Sequence, residues 1–160
     1  MKFIYNCYGG SHSSVTAAAL HVGLLPDTRP PMKIDFLSLP YYDAQVSADH
    51  GRIRLLGFDE EGNEVYITSK RNLGFGYERI MRQFLRITGD PMLDKEIVFI
   101  NTMPDVNIFM VIGGYLSRRL GLNSLGRSIV IYGTCQSYHK FTHLVRQVKE
   151  KYHKAAEDIR

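Results

Sequence analysis

Two apolar runs near the C-terminus constrain the fold most, because each is hydrophobic along its length and a helical segment separates them. Residues 97–100 (Ile-Val-Phe-Ile) and 128–132 (Ser-Ile-Val-Ile-Tyr) have the pattern of strands, and helices are predicted over 106–120 and 137–155. Strands that are apolar on both faces are typical of a parallel sheet with helices on each side. We therefore expect a three-layer α/β fold with a mainly parallel sheet.

The N-terminus adds a third predicted strand and the most informative loop. Residues 2–7 form a β-rich run that ends before Gly9 and Gly10, and an alanine-rich helix is predicted over 13–24. The candidate N-cap residues of this helix are Ser11, Ser13 and Ser14. A strand, a glycine loop and a helix in this order make the first unit P-loop-like.

The middle of the chain predicts a β-hairpin. Residues 52–69 hold two β-compatible segments joined by the turn-forming residues 59–63, so we expect an inserted hairpin at the edge of the sheet. A helix is predicted over 73–87, and 34–39 is expected to be irregular or a brief strand. Because there is no repeat and no evident linker, residues 1–160 are predicted to form one domain.

The composition is that of an ordinary globular domain, with 44% hydrophobic and 22% charged residues in a chain of 160. No window approaches the ~18 consecutive apolar residues of a membrane span, and the N-terminus lacks the apolar core of a signal peptide. Two cysteines are too few for the disulfide framework of a secreted protein. We therefore expect a cytoplasmic protein without a membrane partner.

The positive charge is concentrated in residues 97–160, which carry nine basic and four acidic residues. Many of the basic residues lie on the predicted terminal helix: Arg146, Lys149, Lys151, Lys154 and Arg160. They do not form the aromatic-interleaved basic motif of nucleic-acid-binding proteins, so a solvated helix face is expected and a nucleic-acid partner is not. The alternative function is a non-catalytic regulatory or interaction module whose basic helix docks an acidic partner.

A ligand site is expected where the parallel strands end, since loops and helix N-termini present unpaired N–H groups there. Three predicted loops meet this description: 7–14, 101–105 and 133–138. The first has the composition of a phosphate cradle, because glycine allows close backbone approach and serine hydroxyls can hold phosphate oxygens. Its ligand-binding candidates are Gly9, Gly10, Ser11, His12, Ser13 and Ser14.

The predicted ligand is a phosphorylated small molecule or nucleotide, and any catalysis would be phosphoryl transfer or hydrolysis. His12 would contact or protonate the anion, while Asn101 and Asp105 would line the neighbouring strand end. In a purely structural interpretation the glycine loop is only a tight turn, and Asp105 or Thr102 caps the helix that follows. The catalytic candidates are His12, Asp105 and Cys7.

The loop departs from two familiar phosphate motifs. The Walker A pattern needs a lysine where this loop has His12 or Ser13, so ordinary P-loop hydrolysis is disfavoured unless another cation substitutes. The candidate cations are Arg118, which is also assigned to the ligand site, Arg119 and Lys140. Thiol phosphatase loops place an arginine six residues after the cysteine, and Ser13 holds that position after Cys7, which disfavours a cysteine-dependent phosphatase.

A third alternative is a thiol or metal site. Cys135, His139 and His143 recur at intervals of four, and Cys7 and His12 could face them in a zinc site. Helical phase turns the two later histidines away from the apolar stripe of the terminal helix, so exposed histidines are the simpler expectation. We assign no metal ligand and no cofactor.

Three segments together resemble an uncharacterised bacterial family that is classed only as a domain of unknown function. They are residues 5–14 (Tyr-Asn-Cys-Tyr-Gly-Gly-Ser-His-Ser-Ser), 57–66 and 112–119 (Ile-Gly-Gly-Tyr-Leu-Ser-Arg-Arg). The resemblance extends over nearly the whole chain. It implies a small stand-alone cytoplasmic protein, and it implies no activity, substrate or cofactor.

Overall fold

A computed structural model describes residues 1–157, and the side chains at positions 47, 91, 119 and 153–157 lie outside that description. In chain order, the strands and α-helices of this range are β1 (Lys2–Cys7), α1 (Ser13–His21), α2 (Lys33–Leu37), β2 (Arg54–Phe58), β3 (Glu64–Ser69), α3 (Gly76–Ile87), α4 (Pro91–Glu96), β4 (Ile97–Asn101), α5 (Ile108–Arg119), α6 (Asn123–Gln136) and α7 (Tyr138–Glu157). The helices predicted over 13–24, 73–87, 106–120 and 137–155 are confirmed as α1, α3, α5 and α7. Within residues 1–157, no helix combines the length and the apolar character that crossing a membrane requires.

The strands form one four-stranded sheet in the order β2-β3-β1-β4, which confirms the mixed α/β class. Both neighbours of β1 run parallel to it, so that Tyr5 lies opposite Ile67 of β3 and Ile100 of β4. β2 pairs antiparallel with β3 and forms an edge. As a result, the carboxyl ends of β1, β3 and β4 meet at the same edge of the sheet.

The hairpin predicted over 52–69 is confirmed, but only one of its strands lies at the edge of the sheet. β2 occupies the edge, whereas β3 lies inside the sheet and is the third parallel strand. The prediction that 34–39 is irregular or a brief strand is wrong for residues 34–37, which lie in the short helix α2.

The strand predicted over 128–132 is wrong, because these residues belong to α6. The loop predicted over 133–138 is wrong for the same reason, since Gly133 lies inside this helix. α6 packs antiparallel against α5, and glycines allow the two backbones to touch: a Cβ at Gly113 would lie 2.5 Å from the backbone nitrogen of Val130. An apolar run buried against another helix has the same composition as a buried strand, and periodicity alone does not separate them.

One face of the sheet packs against α1 and α7. Phe3 and Tyr5 of β1 are buried there with the small side chains of Ala17 and Ala18, which let α1 lie close to the strands. Phe141 of α7 is fully buried in the same cluster. On the opposite face, where alternate strand residues point, the ring of Tyr77 from α3 meets Phe99 of β4 at a centroid distance of 6.0 Å. The arrangement in three layers stays a prediction.

A buried histidine joins α1 to the sheet and to the hairpin turn. His21 is fully buried, and its Nδ1 lies 2.7 Å from the hydroxyl of Tyr5. Its Nε2 lies 3.2 Å from the carboxylate of Asp59, which also accepts the backbone N–H of Asn63 in the turn. Burial lowers the pKa of His21, although Asp59 opposes that change. The folded state therefore favours the neutral form of the His21 imidazole.

Candidate functional site

A cavity of about 790 Å³ lies at the sheet edge where the parallel strands end. The loop after β1 forms one wall, α5 forms another, and Arg71 reaches it from the segment after β3. Of the predicted site residues, those that line the cavity are Cys7, Gly9, Ser11, His12, Ser13 and Arg118. The edge chosen from the sequence is thus where the structure opens a cavity.

The loop after β1 closes around the sulfur of Cys7. The backbone N–H of Gly10 donates to Cys7 Sγ at 3.0 Å, and the hydroxyl of Ser14 lies 3.2 Å from the same sulfur. Gly10 has a φ of +66°, and a Cβ there would lie 3.0 Å from both Gln45 and the backbone nitrogen of Ser69. The loop therefore requires glycine at position 10, as a tight approach to neighbouring backbone demands.

No serine caps α1, contrary to the expectation from the sequence. The N-cap residue is His12, and no side chain accepts from the first turn there. The serine hydroxyls are engaged elsewhere: Ser13 accepts from Thr102 at 2.9 Å, and Ser14 faces Cys7. The first-turn N–H groups of α1, which no helical carbonyl can satisfy, are consequently left without a side-chain acceptor.

Asp43 organises the side of the loop that faces α5 and α6. Its buried carboxylate lies 3.1 Å from His12 Nε2, accepts from Arg127 Nε at 2.8 Å, and accepts from the hydroxyl of Ser117. Its own backbone N–H donates to the carbonyl of Ser11 at 3.1 Å. Burial opposes ionisation, but the hydrogen bonds from His12 and Arg127 outweigh it and lower the pKa of Asp43 to about 2. Asp43 is thus a fixed anion that orients His12.

The charged side chains that line the cavity are basic. They are Arg71 and Arg118, with His12 and His50 beside them, and no carboxylate belongs to the lining formed by the described residues. Arg118 donates to Ser11 Oγ at 3.1 Å and lies 3.6 Å from Asp43. Because Arg118 and Arg127 both approach the one carboxylate, a positive charge remains on this wall. A small anion would find a favourable potential here.

A second part of the cavity is apolar. Its side chains come from the 3₁₀ turn after β4 and from α5: Met103, Val106, Met110, Val111 and Tyr115. Methionine side chains adapt to ligands of irregular shape, and an aromatic ring offers a flat surface. The cavity therefore suits a molecule that carries an anionic group at one end and an apolar or aromatic group at the other.

Gln45, one of the lining residues, has a buried polar atom without a hydrogen-bond partner among the described residues. Its side chain is 5% exposed, and its Nε2 donates to the carbonyl of Gly10 at 2.6 Å, which fixes the orientation of the amide. Its Oε1 has no hydrogen-bond partner among the described residues. A buried acceptor without a donor costs free energy, and such atoms are rare in folded proteins.

Four predicted site residues lie outside the cavity lining: Gly10 and Ser14 of the loop, and Asn101 and Asp105. Asn101 accepts from Lys70 Nζ at 2.6 Å and from the backbone of Met103, so it anchors the strand ends. Burial raises the pKa of Asp105, while Lys140 on α7 acts in the opposite direction. Neither Asp105 nor Thr102 caps α5, since Asn107 holds that position and accepts from Met110.

Lys140 and Cys135, the remaining candidate cation and thiol with described side chains, do not line the cavity. Lys140 lies near Asp105, and the Arg119 side chain is outside the described part of the chain. Cys135 lies 3.8 Å from the carbonyl of Pro31. Among the described residues, no three His, Cys, Asp or Glu side chains gather in a way that could hold a metal ion.

The basic terminal helix has contacts within its own chain. Lys149 binds both carboxylate oxygens of Glu60 in the hairpin turn at 2.8 Å, and Lys151 lies over the ring of Tyr152. The side chains of Lys154 and Arg160 lie outside the described residues. Docking of an acidic partner on this helix stays a prediction.

Several residues of the site could not be recognised in the sequence: Arg71 and Gln45 line the cavity, and Asp43 holds His12. Arg71 follows β3, and its guanidinium lies over the ring of Tyr8 at 4.9 Å from the centroid. Its position follows once β3 is known to be a parallel neighbour of β1, since its end then lies beside the loop. Gln45 and Asp43 come from an irregular segment, where neither spacing nor periodicity gives a signal.

Comparisons with known proteins give one match. A family model described as "Protein of unknown function (DUF3189)" matches residues 2–150. No curated protein matches the chain, and no solved structure does.

Proposed function

Since the chain belongs to the DUF3189 family of proteins of unknown function, we propose from the site alone that it binds a phosphorylated small molecule or nucleotide in the cavity beside the loop after β1. The phosphate would lie against Gly9, Ser11, His12 and Ser13, and Arg118 would take the place of the lysine of a P-loop. The likeness of the first strand, loop and helix to a P-loop is part of this proposal.

One observation carries the proposal: the cavity is lined by two arginines and two histidines and, among the described residues, by no carboxylate. Phosphate groups are bound in proteins by guanidinium groups, by backbone N–H groups at a helix start and by hydroxyls. Arg118, the uncapped first turn of α1 and the loop serines bring these groups to the same wall.

The apolar wall formed by Met103, Met110 and Tyr115 favours a ligand with an aromatic or otherwise apolar part. A nucleoside monophosphate has a flat base as well as a phosphate, whereas a sugar phosphate is polar throughout. We therefore expect nucleotides and aryl phosphates to bind more tightly than sugar phosphates.

Thermal unfolding with inorganic phosphate, AMP and glucose 6-phosphate tests the proposal. A ligand at 100 times its Kd stabilises the folded state by about 2.7 kcal/mol, which gives a measurable rise in Tm. The rise should be lost in Arg118→Gln and reduced in Arg71→Gln, and it should persist in Arg79→Gln, which replaces an exposed arginine of α3. The same rise in Tm for wild-type protein and Arg118→Gln would count against this site.

A further inference from the structure

The loop after β1 holds the sulfur of Cys7 through two hydrogen-bonding contacts. The N–H of Gly10 donates to it at 3.0 Å, and the hydroxyl of Ser14 lies 3.2 Å away. Hydrogen-bond donors and a helix N-terminus stabilise the negative charge of a thiolate, and α1 begins at the end of this loop. Cys7 also lines the cavity.

A nucleophile, a proton donor and a cation line the same cavity: Cys7, His12 and Arg118. The carboxylate of Asp43 lies 3.1 Å from His12 Nε2 and so orients the imidazole.

The cation that the loop itself lacks is supplied by another element. Ser13 stands six residues after Cys7, where a thiol phosphatase loop has arginine, and this absence is the reason that the sequence disfavours such an activity. In the folded chain, Arg118 of α5 reaches the loop and donates to Ser11. One of its guanidinium nitrogens, Nη1, has no partner among the described residues and is available to a phosphate oxygen.

We propose that Cys7 is the nucleophile of a phosphate monoester hydrolase, with Arg118 as the guanidinium that stabilises the transferring phosphoryl group. This inference rests on the proposed function, because it requires phosphate to bind beside the loop. The substrate class is a monoester of an aryl or otherwise apolar alcohol, as the apolar wall around Met110 and Tyr115 suggests.

The reaction proceeds in two balanced steps. In the first, the thiolate of Cys7 attacks phosphorus, an S–P bond forms, the ester P–O bond breaks, and protonated His12 gives its proton to the leaving oxygen. In the second, His12 takes a proton from water, the water oxygen bonds to phosphorus, and the S–P bond breaks to release the thiolate and hydrogen phosphate. Asp43 holds His12 through Nε2, which leaves Nδ1 for these transfers.

Hydrolysis of p-nitrophenyl phosphate tests the inference. Wild-type protein should release p-nitrophenol, and acid-quenched protein should carry one phosphoryl group on Cys7, as peptide mass spectrometry would show. Cys7→Ser should abolish both signals. Arg118→Gln should lower turnover by about 100-fold or more, as the loss of a group that stabilises transition-state charge does. Cys135→Ser, which changes the thiol outside the cavity, should retain both signals.

Phosphate binding separates the two proposals. If Cys7→Ser still gains thermal stability from inorganic phosphate and releases no p-nitrophenol, both proposals are supported. If the wild-type protein binds phosphate but gives neither p-nitrophenol nor phosphorylated Cys7, the nucleophilic role is overturned and the binding site stands. If inorganic phosphate, AMP and p-nitrophenyl phosphate all leave the wild-type Tm unchanged and no turnover occurs, both proposals fail.

Discussion

Arg118 donates to the hydroxyl of Ser11 at 3.1 Å, and this hydrogen bond joins the C-terminal part of α5 to the loop that follows the first strand. The two residues are 107 positions apart in the chain. A cation therefore reaches the glycine loop although the loop contains no lysine or arginine. The contact also shows that α5 is part of the site wall and not only a covering helix.

The conformation of Gly10 makes a first prediction. Gly10→Ala should destabilise the fold by about 1–2 kcal/mol, the usual cost of a left-handed conformation for a residue with a Cβ, and its Cβ would also crowd Gln45. Gly9→Ala is the matched control, because a Cβ there meets nothing within 4 Å. Urea unfolding of the two variants measures the difference, and equal stabilities would contradict the conformation assigned to the loop.

Asp43 makes a second prediction, because its carboxylate is shared by His12, Arg118 and Arg127. Asp43→Asn should lower the free energy of unfolding by less than the ~3–5 kcal/mol that breaking a fully buried ion pair costs. The loss is smaller because the side chains of Arg118 and Arg127 are 31% and 39% exposed. Chemical denaturation near neutral pH measures this loss. Glu78→Gln, which removes an exposed partner of Arg82, should change stability by about 1 kcal/mol or less.

The same carboxylate also predicts a pH dependence. The pKa of Asp43 is lowered to about 2 in the folded state from an ordinary value of 3.8. Its contribution to stability is therefore fully present above pH 3.8 and is lost as the pH falls towards 2. Wild-type protein should lose more stability than Asp43→Asn over this interval, and parallel unfolding profiles would refute the assignment.

His21 makes a third prediction, in a higher pH range. Burial lowers its pKa below the ordinary value of 6.5, so the unfolded chain binds a proton more readily than the folded chain. The stability that depends on neutral His21 should decrease as the pH falls below 6.5. An NMR titration of the imidazole should give a pKa below that of free histidine, and His21→Gln should flatten the stability profile between pH 7.5 and about 5.

The glycines of the α5 and α6 pair make a fourth prediction. Gly113→Ala should destabilise the fold by about 1–3 kcal/mol or more, the usual cost of overpacking. The reason is that a Cβ at this position would overlap the backbone of Val130. Gly114→Ala, one residue further, should be tolerated, since its Cβ would make an ordinary contact with His12 at 3.7 Å. Thermal unfolding of both variants compares these neighbours, and equal losses would contradict the packing.

The sequence predicted the elements that have a local signal. The first strand, its glycine loop and α1 follow from a β-rich run, two glycines and an alanine-rich segment, and β4 follows from a run of apolar residues. The segment 128–132 could not be assigned correctly, because an apolar helix buried against glycines of another helix has the composition of a buried strand. Local pattern thus fails where tertiary packing decides the conformation.

The site residues also divide into those with a local signal in the sequence and those without one. Cys7, His12 and Ser13 could be chosen because they lie in a loop whose place at the sheet edge follows from the strand before it. Asp43 and Gln45 come from a segment of irregular conformation, and Arg71 depends on the strand order. Contacts between distant parts of the chain have no local pattern, so the sequence alone did not indicate these residues.

The strand order has a consequence for how the chain acquires its structure. β1 is made first during synthesis, yet its partners β3 and β4 begin at residues 64 and 97. The first strand therefore has no partner on either side until residues 64–69 have been made. Pairing over such long sequence separations slows folding, so a newly made chain would depend on late residues to protect its earliest apolar segment from aggregation.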